Sequence, residues 1–263
     1  MSKCLEYSVL RYTPILVAGG EHVNIGVLFS SDNFQEFHSI KKFSRIKSFD
    51  DELDINALKF LISSIKNDIQ LSLYNEDKKF NINDFTKYYM NEFHFSKPIK
   101  IAFTDLAKTI DDITKLYLKY DYEKNNRLSE LEQKQLIKKI LESSHKSYKQ
   151  NKKIKGNFGD QITYDIIFNN YGIKFFNFKN KSINHMMNDI KAWAWNCENT
   201  PKNLKTIIIY SQDFNGNEEY NANVKTCIDI LKKSSDNIFD FEAGLSLIEK
   251  FVSTQEFSKE YFS

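Results

Sequence analysis

Four polar side chains near the N-terminus, Arg11, Glu21, His22 and Asn24, stand close enough along the chain to act together. Arg11 belongs to the run "LEYSVLRY", whose alternation suits a β-strand, and on such a strand it shares a face with Val9 and Tyr7. A guanidinium is expensive to bury there unless a carboxylate or backbone carbonyls receive it. Glu21 is the nearest acid, because a hairpin-like return brings residues 21–24 opposite residues 11–14. Two readings follow. An Arg11–Glu21 pair, with Asn24 bonding the loop, fixes the connection; alternatively Arg11, Glu21 and His22, with Asn24 beside them, line a recognition groove for phosphate, RNA or a partner loop. A second basic group, Lys149, Lys152 and Lys153 with Lys146 and Lys155, interleaves Tyr148. It has the composition of a track for a nucleic-acid backbone and equally that of a solvated tether.

The elements that must position these groups can be read from periodicity. "HVNIGVLF" pairs with the first strand across "TPILVAGG", where Pro14, Gly19 and Gly20 shape the loop, and "FQEFHSIKKF" extends the sheet. Asp54 caps a helix through about residue 67, carrying Leu58, Leu61, Ile62 and Ile65 on one face. Thr104 caps a second, with Leu106, Ile110, Ile113, Leu116 and Tyr117 as its stripe, and a third carries Leu131, Leu136, Ile137, Ile140 and Leu141. "HKSYKQNKKIKGNFGD" then reads as a boundary. Beyond it, "QITYDIIFNNYGIKFFNFKN" is a hairpin turning around "NNYG", with Gly172 available for positive φ. A helix follows over "SINHMMNDIKAWAWNCEN", then a buried strand "LKTIIIYSQ" and two closing helices. Trp193 and Trp195, two apart, fall on different helix faces, so at most one belongs to the core and the other is open to stacking or a protein contact.

This pattern predicts an α+β fold: an N-terminal mixed sheet with helices over 1–150, and an α/β domain over 156–263. With 41% hydrophobic residues, 22 Phe and 14 Tyr, the 263-residue chain has ample material for such cores. The formal net charge is only +2, from 37 basic and 35 acidic residues, so no global field drives binding to nucleic acid or membrane, and any such binding needs a local patch. No leader or membrane-spanning run is visible, and the chain reads as cytoplasmic. Cys4, Cys197 and Cys227 lack zinc spacing and disulfide density and read as reduced thiols.

"YSVLRYTP" followed by "GGEHVNIGVLF" resembles the bacterial domain-of-unknown-function family 3037, with Tyr7, Arg11, Tyr12, Pro14, Glu21, Asn24 and Gly26 at its characteristic positions. "SRIKSFDDELDINALKFLI" is similar to that family's next segment, so the resemblance covers roughly the first hundred residues. The resemblance implies a genomic setting beside HipA-like kinases, and hence toxin, stress or defence modules. It does not imply a mechanism.

The second half resembles a degenerate PD-(D/E)XK nuclease core over roughly residues 156–212. That core places an Asp on one hairpin strand and an acidic-x-Lys on the next, so that two carboxylates hold a divalent metal while the lysine orients water or stabilises charge. Here the resemblance implies Asp165 and Lys179 at the outer positions, with Asn177 in place of the second acid. An amide offsets none of the ion's charge. Three readings stay open: an active nuclease with Mg or Mn, completed by Glu198 or Asp189 from the following helix; an inactive relative without metal; and an unrelated α/β domain. The expected function is a non-catalytic binding or regulatory protein of a bacterial or phage defence, counter-defence or toxin–antitoxin-type system. Its partner would be a protein or a nucleic acid, or a second copy in a homodimer. The metal-dependent nuclease is the alternative.

Overall fold

The structure, a computed structural model, describes residues 3–14, 21–32, 34–73, 80–89, 91–143, 148–178, 181–212 and 217–253. The chain divides into two compact units, Met1–His145 with Glu249–Ser263, and Lys146–Ile248. Both combine helices with a β-sheet, an α+β architecture.

The first unit is built on an antiparallel sheet. β1 (Cys4–Tyr12) pairs with β2 (Val23–Ser31), which pairs with β3 (Phe34–Ser39). After α1 (Ser44–Phe49), α2 (Ile55–Leu73) and α3 (Ile82–Thr86), β4 (Phe93–Phe95) and β5 (Ile99–Ala102) share the other side of β1. Two helices, α4 (Leu106–Tyr117) and α5 (Glu130–Ser143), complete the unit, together with the chain from Glu249.

Alternation along β1 sends Leu10 and Tyr12 toward α2, where they join Ile25, Leu58, Ile62 and Ile65 in one core. Tyr7, Val9 and Arg11 point to the opposite face, where Tyr7 meets Tyr117 of α4. Helix ends follow local rules. Asp54 caps α2 as the sequence predicts, its Oδ1 accepting from the Asn56 N–H at 2.8 Å. At α4 the cap is Asp105 rather than Thr104, the longer carboxylate reaching the Lys108 N–H. Ser129 and Glu132 form a reciprocal capping box at α5. Leu131 lies in that helix's first turn, off the buried stripe, and is exposed.

The second unit carries a mixed sheet in the order β10-β9-β8-β7-β6. β6 (Tyr148–Lys155), β7 (Gln161–Phe168) and β8 (Tyr171–Asn177) form an antiparallel meander. α6 (Ile183–Asn199) then crosses to β9 (Lys205–Ser211), parallel to β8, and α7 (Glu218–Ser234) crosses to β10 (Asn237–Asp240), parallel to β9. α8 (Phe241–Ser253) follows, its residues to Ile248 belonging to this unit. Phe176, Phe178 and Ile208 pack with Met186 and Ile190 of α6 and with Val224 and Leu231 of α7. Ile209, of opposite parity, meets Gly244 of α8.

Among the described residues, four strands escape the sequence pattern: β4 and β5, in a stretch without a clean period, and β6 and β10. β6 replaces the predicted linker; its lysines hide a strand because only one face of an edge strand needs apolar side chains. β10 is only four residues long. At the β7–β8 turn the positive φ falls on Asn169 rather than Gly172. Gly172 is a strand residue that leaves room for the Tyr164 ring, 2.7 Å from where a Cβ would stand.

Candidate functional site

A buried polar chain crosses the first unit from Arg11. β2 carries an extra residue at Ile25, so Leu10 faces Gly26 while Arg11 faces Asn24. That bulge places the Asn24 Oδ1 within 3.4 Å of Arg11 Nε, which donates to it. The Arg11 guanidinium pairs with the Glu249 carboxylate, both side chains almost wholly buried. Asn24 Nδ2 donates to the Tyr117 carbonyl at 3.3 Å, and the Tyr117 and Tyr7 hydroxyls lie 3.2 Å apart. Burial and then the Glu249 charge push both phenols above the ordinary tyrosine range. His94, across from Arg11 on β4, is held below the usual imidazole range by burial and by the guanidinium.

Arg11 therefore pairs with Glu249, not with Glu21. The β1–β2 ladder ends at Tyr12 and Val23, so Glu21 and His22 lie beyond it, Glu21 exposed and His22 half-buried. Of the four residues read from the sequence, the structure brings together Arg11 and Asn24. Residues 15–20, with Gly19 and Gly20, lie outside the described residues. Glu249 escaped the sequence reading, and Tyr117 was read only as part of its helix's apolar stripe, because their distance from Arg11 along the chain leaves no local signal. The Arg11 charge is neutralised, and its Nε and Nη2 are engaged, while the buried Glu249 Oε1 has no hydrogen-bond partner among the described residues.

In the second unit, Asp165 is engaged by its neighbours on β8. Its Oδ2 accepts from the Phe175 backbone N–H at 2.9 Å and lies 3.4 Å from Lys174 Nζ. Lys174 in turn lies 5.0 Å over the Trp193 ring. The direct pairing of β7 with β8 reaches from Phe168 to Ile166, and next to it the Asp165 carboxylate takes the role of a ladder acceptor. Lys174, Phe176 and Phe178 share the α6 face of β8, so alternation sends Asn177 the other way. Lys179 lies outside the described residues. Asp189 is occupied 3.2 Å from Lys181, and Glu198 is exposed. Among the described residues no group of three or more His, Cys, Asp or Glu side chains could hold a metal ion.

The lysine run is part of the sheet rather than a tether. Lys149 and Lys153 are exposed and Lys152 partly so, on an edge strand whose Asn151 adopts φ 45°. Lys149 lies opposite Ile167 and Lys152 opposite Tyr164 in the β6–β7 ladder. The Lys149 ammonium holds that of Lys152 below the usual lysine range. Lys146 is outside the described residues.

The first unit also holds an open cleft of about 760 Å³ between α2, β3 and the segment after α4, lined by Glu36, His38, Lys42, Lys59, Lys66 and Asp121 among others. Some of its charged groups are engaged within the cleft: Asp121 Oδ1 accepts from the Lys41 and Lys42 backbone N–H groups at 2.8 and 2.7 Å, and Lys42 reaches Glu123 at 2.6 Å.

Residues 7–118 match the model of a family described as "Protein of unknown function (DUF3037)". That span covers β1 through α4, including Arg11, Asn24 and Tyr117. No curated protein and no solved structure matches the chain. Among the described residues no helix is long and apolar enough to cross a membrane.

Proposed function

We propose that this chain is a non-catalytic binding or regulatory protein, acting in the cytoplasm in a bacterial or phage defence, counter-defence or toxin–antitoxin-type system. The observation that carries the non-catalytic part is the engagement of Asp165 by the Phe175 N–H and Lys174, with Asn177 directed to the other side of β8. A divalent cation needs several oxygen ligands on one side and charge to offset its own. One carboxylate already neutralised by a lysine does not suit it. The defence context rests on the resemblance of the first hundred residues to the family of unknown function and on that family's gene neighbours.

The order β6-β7-β8-α6-β9, a meander followed by a helix and a parallel strand, supports the likeness of the second unit to a nuclease core that has lost its chemistry. Such a core keeps its backbone framework when catalysis is gone, so recognition can outlive cleavage. Incubation of the purified protein with single- and double-stranded DNA and RNA in magnesium or manganese tests the reading. No cleavage is expected. Cleavage that disappears in Asp165→Ala would establish the alternative, a metal-dependent nuclease.

A further inference from the structure

Two aromatic rings of the second unit are displayed to solvent rather than packed. Phe158, in the turn between β6 and β7, is 77% exposed, and Trp195 of α6 is 54% exposed. They stack on each other with ring centroids 5.5 Å apart and planes 20° from parallel. Among the described residues few aromatic side chains are exposed; Phe60 and Tyr88 of the first unit are others, but only Phe158 and Trp195 stack on each other in the open.

The pair is also held in place. Asn199, the last residue of α6 and 1% exposed, clamps the turn: its carbonyl accepts from the Asn157 N–H at 2.9 Å and its Oδ1 from the Phe158 N–H at 3.0 Å. Its Nδ2 donates to the Asp160 carboxylate. Gly159 adopts φ +89°, which a side chain would oppose, and the Gly156 N–H closes the turn onto the Asp160 carbonyl at 2.8 Å. Phe158 is thus presented on a fixed backbone, so little conformational freedom remains to be lost when a ligand meets it.

The surroundings are basic and polar. β6 carries Lys149, Lys152, Lys153 and Lys155 and no acid, and the Lys155 side chain lies 3.7 Å from where a Cβ of Gly159 would stand. Lys191 is one helical turn before Trp195. The acids nearby are Asp160, which Asn199 engages, and Glu198, exposed one turn after Trp195. Protein-binding hot spots are depleted in lysine and sit within an apolar patch. Lysines and asparagines surround these rings instead. Aromatic faces beside a cationic strand are the parts that bind unpaired bases and their backbone.

We propose that the Phe158–Trp195 stack is a platform for bases of single-stranded nucleic acid, with the β6 lysines tracking its phosphates. The inference rests on the binding reading above and supplies its partner class and its site.

The test uses the full chain and fluorescein-labelled oligothymidylate and oligouridylate of roughly 20 nucleotides, followed by anisotropy across a salt series. Wild type binds, and binding weakens with salt. Phe158→Ala and Trp195→Ala, at exposed positions and checked for an unchanged far-ultraviolet spectrum, each lower affinity roughly 5- to 100-fold, while Trp195→Phe, which keeps a π-face, retains it. Lys155→Gln, at the lysine beside the turn, lowers the slope of log affinity against log salt by about 0.7. Equal affinity in wild type and both alanine variants overturns the platform and leaves the binding reading standing. Absence of probe binding overturns it too, and a dimeric mass lost in Trp195→Ala would then assign the rings to self-association. Metal-dependent cleavage of the probe, lost in Asp165→Ala, would instead sink the non-catalytic reading, while the alanine variants' affinities still decide the platform.

Discussion

Arg11 and Glu249, 238 positions apart in the chain, form an ion pair inside the first unit with both side chains nearly excluded from water. Such a pair contributes little relative to apolar residues of equal volume, but breaking it strands a charge. Arg11→Met is therefore expected to cost about 3–5 kcal/mol of stability. The double variant Arg11→Met/Glu249→Leu should recover much of that loss, because neither charge remains. Urea unfolding of the two variants checks this; equal losses would show that the pair's own attraction, not the stranded charge, dominates.

The two buried phenols make a prediction about alkaline pH. Tyr7 and Tyr117 have folded-state pKa values raised above the ordinary 10.0, so up to that pH both states hold the same protons. Above it the unfolded chain releases protons that the folded chain retains, and stability falls as pH rises. Tyrosinate absorbance followed through an alkaline titration should show these two phenols ionising together with unfolding. In a Tyr7→Phe/Tyr117→Phe variant that cooperative step should shrink.

Asp165 is expected to behave as a structural acceptor. Asp165→Ala leaves the Phe175 N–H and the Lys174 ammonium without their partner and should cost about 1–3 kcal/mol. Asp165→Asn keeps an acceptor for the N–H and should cost less. Chemical denaturation distinguishes the two, and equal stability of all three proteins would remove the structural role.

The thiols should separate by reactivity. Burial, then the charges of Asp236 and Glu198, push the Cys197 thiol up to about 12, and burial also raises Cys227. Cys4 is exposed. Reaction with a chromogenic disulfide at neutral pH should label Cys4 quickly and the other two slowly, since the thiolate is the attacking form. Fast labelling of Cys197 would contradict its placement.

Much of the architecture was legible in the chain. The strands flanking residues 12–23, the stripe of α2, its Asp54 cap and the split roles of Trp193 and Trp195 all follow from periodicity and cap chemistry, which act over a few residues. β6 was not legible, because an edge strand of alternating lysines has the composition of a tether, and only its pairing with β7 distinguishes the two. The candidate sites suffered more. Glu21 was the near acid in sequence, yet the guanidinium went to Glu249, and Asp165 found Lys174 rather than a second acid.

By itself, the sequence determined which segments form helices and strands in most of the chain, where the apolar faces lie, and the family likeness of its first part. Those properties depend on side-chain spacing within a turn or a strand. Only the tertiary structure decided which charges meet, that a single-residue bulge at Ile25 turns Asn24 toward Arg11, and that Phe158 and Trp195 stand stacked in solvent. Partners for buried charge and exposed rings are chosen by strand register and helix position, and these emerge from packing summed over the whole unit rather than from any local stretch.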